Sequence, residues 1–253
     1  MKEEFEQKIE YGKNILQRDF YYRHGDKTPE GELSLEGFKQ AEDIGKVMET
    51  TEKGPKPYGS EIKRAQDFTE TIRRATESSK EYKTRTKKEL GFSGLSKEFL
   101  AQWKQIAKEQ GDDAVIKWYF AFGKNRPDAN TISPYEMACR TAKNIFTHNK
   151  MAERYRAGSK VDMVNGSHSP TLDVFIATAL EEQIEKNPIN PEGKDLIEKM
   201  GGKFKTAEGF EVNTIIDGEG KKSLILKFRG KEFPLDENKL EEMVEDFEKT
   251  KKE

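Results

Sequence analysis

Two of the three histidines in this 253-residue chain stand where a short apolar stretch gives way to a polar turn. His24 follows Phe20-Tyr21-Tyr22-Arg23 and opens the run Gly25-Asp26-Lys27-Thr28-Pro29. His168 follows Val161-Asp162-Met163-Val164-Asn165-Gly166-Ser167 and precedes Ser169-Pro170, after which Leu172, Phe175, Ile176 and Ala179 recur at helical spacing. The first reads as strand, histidine, turn and the second as strand, histidine, helix, and in an α/β protein the carboxyl ends of strands are where sites are built. A neutral imidazole is nucleophilic near pH 7, and guanidinium forks stabilise charge on phosphoryl oxygens. Arg23 adjoins His24. Arg64 falls in the first turn of a helix predicted from a Ser60 cap and the buried stripe Ala65, Phe68, Ile72 and Ala75. A cation there opposes the helix dipole, which is explained if it reaches an anionic ligand. Ser169 as cap and Pro170 at the first helical position would leave free backbone N–H groups facing the point where His168 emerges, again favouring an anion. The third histidine, in Thr147-His148-Asn149, reads as solvent-facing or helix-capping.

Arg23-His24-Gly25 with Thr28, then Ser60 with Arg64-Ala65, then Gly166-Ser167-His168 resemble the histidine phosphatase superfamily, the phosphoglycerate mutase-like fold, in order and spacing over roughly residues 17–185. The resemblance implies that His24 is the nucleophile that takes the phosphoryl group, with Arg23, Arg64 and His168 around its oxygens. Lys27, Thr28 and Ser169 are then substrate-binding residues, and no metal or cofactor is implied. A leaving alkoxide needs a proton donor. Glu89 lies about where the mutase-like branch places its glutamate acid, and Asp26 is its rival. The acid phosphatase branch places aspartate directly after its late histidine and arginine at the position of Lys27. Here Ser169 and Lys27 occupy those positions, which returns the acid role to Glu89. The activity implied is hydrolysis of a small phosphomonoester through phosphohistidine. The alternatives are a phosphoglycerate mutase-like phosphotransferase and a non-catalytic phosphate or phosphoprotein binding module.

The elements needed to position these residues are visible in the pattern. Ser34 can cap a helix carrying Phe38, Ala41, Ile44 and Met48, ended by Gly54-Pro55-Lys56-Pro57. A short strand is expected near Pro57 to Ser60, and an alternating edge strand from Tyr82 to Leu90. Phe99, Trp103 and Ile106 form one helical stripe and Trp118, Tyr119 and Phe122 another, within a helical cap insertion assigned to residues 91–132. Ser133-Pro134-Tyr135-Glu136 is a capping box with proline at the first helical position, and its helix should run toward Tyr155. Residues 1–14 are expected to form a short helix. Beyond Asn187-Pro188, the segments Glu211 to Ile216 and Ser223 to Phe228 flank the turn Asp217-Gly218-Glu219-Gly220 as a β-hairpin. A charged helix follows from about Asp236, so that residues 205–253 are a C-terminal extension that could extend the sheet, cover its edge or mediate self-association. The fold class is a three-layer α/β/α sandwich with a mostly parallel central sheet, in a single domain over residues 1–253.

Bulk composition sets the limits. With 45 Lys plus Arg against 47 Asp plus Glu, the net charge of −2 offers no general attraction to nucleic acid, so phosphate recognition must be local. Only 33% of residues are hydrophobic, but 15 Phe and 8 Tyr concentrate that content in large side chains able to fill a core. The single cysteine, Cys139, excludes an intrachain disulfide. With no apolar leader after Met1-Lys2-Glu3-Glu4 and no long apolar run, a cytoplasmic protein without a membrane partner is expected.

Overall fold

The computed structural model describes residues 10–250. Its centre is a seven-stranded sheet. The strands are β1 (Ile15–Arg23), β2 (Lys56–Gly59), β3 (Arg85–Thr86), β4 (Lys160–Ser167), β5 (Gly209–Ile216), β6 (Lys222–Phe228) and β7 (Lys231–Pro234), in the order β3-β2-β4-β1-β5-β6-β7. The first four run parallel, and β5 to β7 add an antiparallel wing at β1. The C-terminal segment therefore extends the sheet. Its hairpin closes at Ile216↔Lys222, where Asp217 Oδ1 accepts from the backbone of Glu219 and Lys221, and Gly220 supplies a φ of +85°.

Helices cover both faces. Helices α1 (Leu35–Val47) and α2 (Lys63–Ala75) lie on one side, where Leu33, Ala41, Phe68, Ile72 and Val164 form a core. Between β3 and β4 come α3 (Lys97–Gln110), α4 (Asp112–Phe120) and α5 (Pro134–Ala152); α6 (Ser169–Ala179), α7 (Glu181–Lys186) and α8 (Leu196–Lys199) follow β4, and α9 (Glu237–Thr250) ends the chain. Helices α5, α6 and α9 pack together on the second face, where Tyr21, Met163, Phe175, Phe210 and Val212 share a core. The alternation of Met163 and Val164 between the two cores is the period-two signature of a strand covered on both sides. The expected caps at Ser34 and in the Ser133/Glu136 box are formed. No helix among the described residues is long and apolar enough to cross a membrane.

Several expectations are corrected. The helix expected over residues 1–14 falls mostly outside the described residues, and Tyr11 makes an isolated bridge to Arg156 instead of a helical turn. The expected edge strand from Tyr82 to Leu90 pairs at only two residues, after which Lys88–Leu90 coils into a 3₁₀ turn. Helix α2 starts at Lys63 with Ile62 as N-cap, because the Ser60 hydroxyl, while accepting from Ile62 N–H, is drawn to a side-chain partner outside the helix. Helix α6 begins one residue early, with His168 as N-cap and Ser169 already helical. His148 is neither exposed nor capping: it is 1% exposed and its Nδ1 meets Asp19 Oδ1 at 2.9 Å beneath β1.

Candidate active site

Arg23 ends β1 and His24 follows it; His168 follows β4, which is β1's parallel neighbour, with Arg23 opposite Ser167. The shared register puts the two imidazoles side by side, ring centroids 5.1 Å apart at 66°. Adjacent β2 delivers Ser60 and then Arg64 on the first turn of α2. The close approach of these elements depends on glycine: a Cβ at Gly25 would lie 2.8 Å from Gly37 Cα and O, and one at Gly166 would lie 2.4 Å from Ala65 O. Larger residues would push α1 and α2 off the strand ends.

Hydrogen bonds fix the state of His24. Its Nδ1 lies 2.7 Å from Gly25 O, a carbonyl that only accepts, so Nδ1 carries the proton. Its Nε2 accepts from Arg64 Nε at 2.9 Å, which leaves the lone pair on the nitrogen that faces the guanidinium. Burial pushes the His24 pKa down to about 4, and the Arg64, Arg23 and Lys27 charges add to the depression while the Gly25 carbonyl opposes it. His168 is 2% exposed; burial, then His24, Arg64, Arg23 and Lys27, drives its pKa well below the usual imidazole range. Both imidazoles are therefore neutral at pH 7. His168 Nε2 lies 2.8 Å from Ser60 Oγ, the Phe92 ring stands edge-on at 4.6 Å, and its buried Nδ1 has no hydrogen-bond partner among the described residues. Arg23 donates through Nη1 to Phe204 O at 2.5 Å, and Arg64 through Nη1 to Gly31 O at 3.0 Å.

These groups open into a cavity of about 590 Å³. Arg23, His24, Lys27, Arg64, His168 and Ser169 line one end. Leu95, Leu100, Trp103, Ala107 and Ile116 add an apolar wall, with Phe92 against His168 and Lys104, Asp112 and Lys203 completing the lining. Helix α3 contributes Leu100, Trp103, Lys104 and Ala107 at i, i+3, i+4 and i+7. Of the sequence stripe Phe99, Trp103 and Ile106, Trp103 also lines the cavity, whereas Phe99 is buried and stacks on Trp118 at 4.8 Å.

Thr28, Glu89 and Asp26 are not brought to the cavity. Thr28 stays in the turn, its N–H donating to Glu32 O at 2.9 Å. Asp26 is exposed and accepts from the Ser34 hydroxyl at 3.1 Å. Glu89 lines a separate hollow with Lys88, Ser93, Arg126, Ile132 and Arg140. The physical reason is the early end of β3: the 3₁₀ turn redirects the chain, so that Glu89 lies in the hollow that Arg140 also lines. The Ser169 hydroxyl lies 2.7 Å from Asp173 Oδ2, and Ser169 lines the cavity beside His168. Sequence reasoning missed Ser60 as the partner of His168, and it missed Asp173. An aspartate in a stripe otherwise made of Leu172, Phe175 and Ile176 was the available signal for the second.

A mostly parallel sheet flanked by helices on both faces, with Arg23-His24 and His168 at the ends of neighbouring parallel strands, is the phosphoglycerate mutase-like fold. Solved structures similar to this chain include the native mycobacterial glucosyl-3-phosphoglycerate phosphatase, with a TM-score of 0.51 and 15% identity over 85% of this chain and 99% of that one. Mycobacterial hydrolase 1 gives a TM-score of 0.52 at 15% identity, over 86% and 99% of the two chains, and mycobacterial hydrolase 2 gives 0.51 at 14%, over 91% and 96%. No protein-family model and no curated protein sequence matches the chain.

Proposed function

We propose that the protein is a phosphomonoester hydrolase that acts through a phosphohistidine at His24 on a small substrate with an apolar organic part. The observation that carries this reading is the pair of bonds on His24: a backbone carbonyl holds Nδ1–H, and the free Nε2 lone pair meets a guanidinium. An entering phosphoryl group would take over the Arg64 donor and present phosphorus to Nε2. Arg23, Arg64 and neutral His168 would then surround the oxygens, with Lys27 adding a point charge and the first backbone N–H groups of α6 completing the cage. The apolar wall around Trp103 would take the organic group, which gives α3 and α4 the role of a cap. In the second half-reaction water displaces His24 from phosphorus and releases phosphate. The fold similarity to a mycobacterial sugar phosphoglycerate phosphatase supports the reaction class.

The test is direct. Mixing the protein with an aryl phosphate and quenching in base should trap acid-labile phosphate, mapped to His24 by mass spectrometry, and His24→Ala should show neither the adduct nor turnover. A stable, unlabelled protein that binds inorganic phosphate without turnover would mark an anion-binding module instead.

A further inference from the structure

The proposed reaction needs a proton for the leaving oxygen, and none of the carboxyls considered so far is built to supply it. Asp112 reaches the cavity, but its side chain is 61% exposed and salt-bridged to Lys203. Asp26 and Glu89 lie outside. Behind the cavity wall, one helical turn beyond His168, Asp173 is completely buried. Its Oδ1 accepts the Phe204 N–H at 2.8 Å and its Oδ2 lies 2.7 Å from Ser169 Oγ, so neither bonded partner carries a charge. Ser169 is 8% exposed and itself lines the cavity beside His168. The two charges that favour ionised Asp173 are committed elsewhere: Arg23 donates to Phe204 O, and Arg229 to Glu208 and to the carbonyls of Gly202 and Lys203.

We propose that Ser169 and Asp173 form the proton relay of this site, Ser169 Oγ giving its proton to the leaving oxygen while it receives one from Asp173. The relay rests on the phosphohistidine reading above. In the first step the His24 Nε2–P bond forms and the P–O bond to the alcohol breaks; the Ser169 hydroxyl proton passes to the departing oxygen, and the Asp173 carboxyl proton passes to Ser169. In the second step a water O–P bond forms as the N–P bond breaks; the water proton passes to Ser169 and the Ser169 proton returns to Asp173 carboxylate. Ser169 is the catalytic residue of this transfer, and Asp173 is a positioning residue that acts through it. Burial raises the Asp173 pKa to about 7, against the bonds from Ser169 and Phe204 and the charges of Arg23 and Arg229. A group so placed can both give and take a proton near neutrality.

The experiment uses aryl phosphates graded from phenyl phosphate to 2,4-dinitrophenyl phosphate, whose phenolate leaves without help. Ser169→Ala is expected to lose about 10²-fold on phenyl phosphate while keeping most of its rate on the dinitrophenyl ester. It should also lose the decline in rate expected of wild type on phenyl phosphate above about pH 7. Ser169→Thr should restore both, and Asp173→Asn should behave like Ser169→Ala if it folds. Equal slowing of both esters by Ser169→Ala, or a phenyl phosphate rate equal to wild type, would overturn the relay while His24 labelling still upheld the hydrolase. Wild type that neither turns over any ester nor becomes labelled would overturn both together.

Discussion

The two ends of the cavity are built in different ways. At the end proposed to hold the anion, Arg23, His24 and His168 leave neighbouring parallel strands, so their spacing follows from strand register, and both histidines are almost fully buried. The apolar wall includes one side of α3, where Trp103 is half-buried and Lys104 is exposed. Backbone geometry thus holds the groups that would act on phosphorus. Side chains on a covering helix hold those that would choose the alcohol, and they can change without moving the sheet. If this division is real, substitutions at the strand ends should change turnover, and substitutions on α3 should change substrate affinity.

The largest effect after loss of His24 is expected at Arg64. Arg64→Ala should lower kcat by about 10²–10³-fold, because it removes a preorganised donor from the transferring phosphoryl group. Arg64→Lys should recover little of this, since an ammonium cannot bond His24 and Gly31 O from one planar fork. A kcat within tenfold of wild type in Arg64→Ala would erase the contrast between the two ends. The pH profile sharpens it. In the proposed mechanism the neutral imidazole attacks, so the acidic limb of kcat/KM on a good leaving group should lie near pH 4, where His24 gains its proton, and not near 6.5. The same depression has a stability consequence. Between pH 6.5 and about 4 the unfolded chain accepts a proton that folded His24 refuses, so stability falls as pH drops through that window. His24→Asn should flatten this part of the curve in pH-dependent thermal melts.

At the other end, Trp103→Ala should raise KM for an aryl phosphate about tenfold, or ~1.4 kcal/mol, with kcat little changed, because the ring would bind ground state and transition state alike. A matching drop in kcat would mean that α3 helps align the phosphoryl group. That would blur the boundary between the two regions.

How much of this was legible in the sequence follows the same division. The anion end was readable because each residue adjoins a strong local signal: an apolar run before His24 and His168, and the stripe Ala65, Phe68 and Ile72 behind Arg64. The parallel order of β1, β2 and β4 then brought them together. The stripe Phe99, Trp103 and Ile106 left open which of its residues meets a core and which a cavity, because amphipathic spacing does not distinguish the two on a half-buried helix. His148 and Asp19 show another limit. A polar pair buried between sheet and α5 has no periodic signature, since its burial depends on a partner 129 residues away.

Glu89 is where the sequence pattern and the local backbone part company, and it gives the smallest predicted effect. The lysine-rich alternation before it suggests a strand carrying a carboxylate toward the site, yet β3 stops after Thr86 and the following turn points Glu89 at the Arg140 side. Glu89→Gln should therefore change kcat on phenyl phosphate by no more than about twofold, as expected for a polar substitution worth ~0.5 kcal/mol away from the chemistry. Its leaving-group dependence should match wild type. If Glu89→Gln instead steepened that dependence while Ser169→Ala did not, the 3₁₀ turn would have to reorganise on substrate binding to carry Glu89 across to His24, and the proton would enter from the β3 side of the cavity and not from α6.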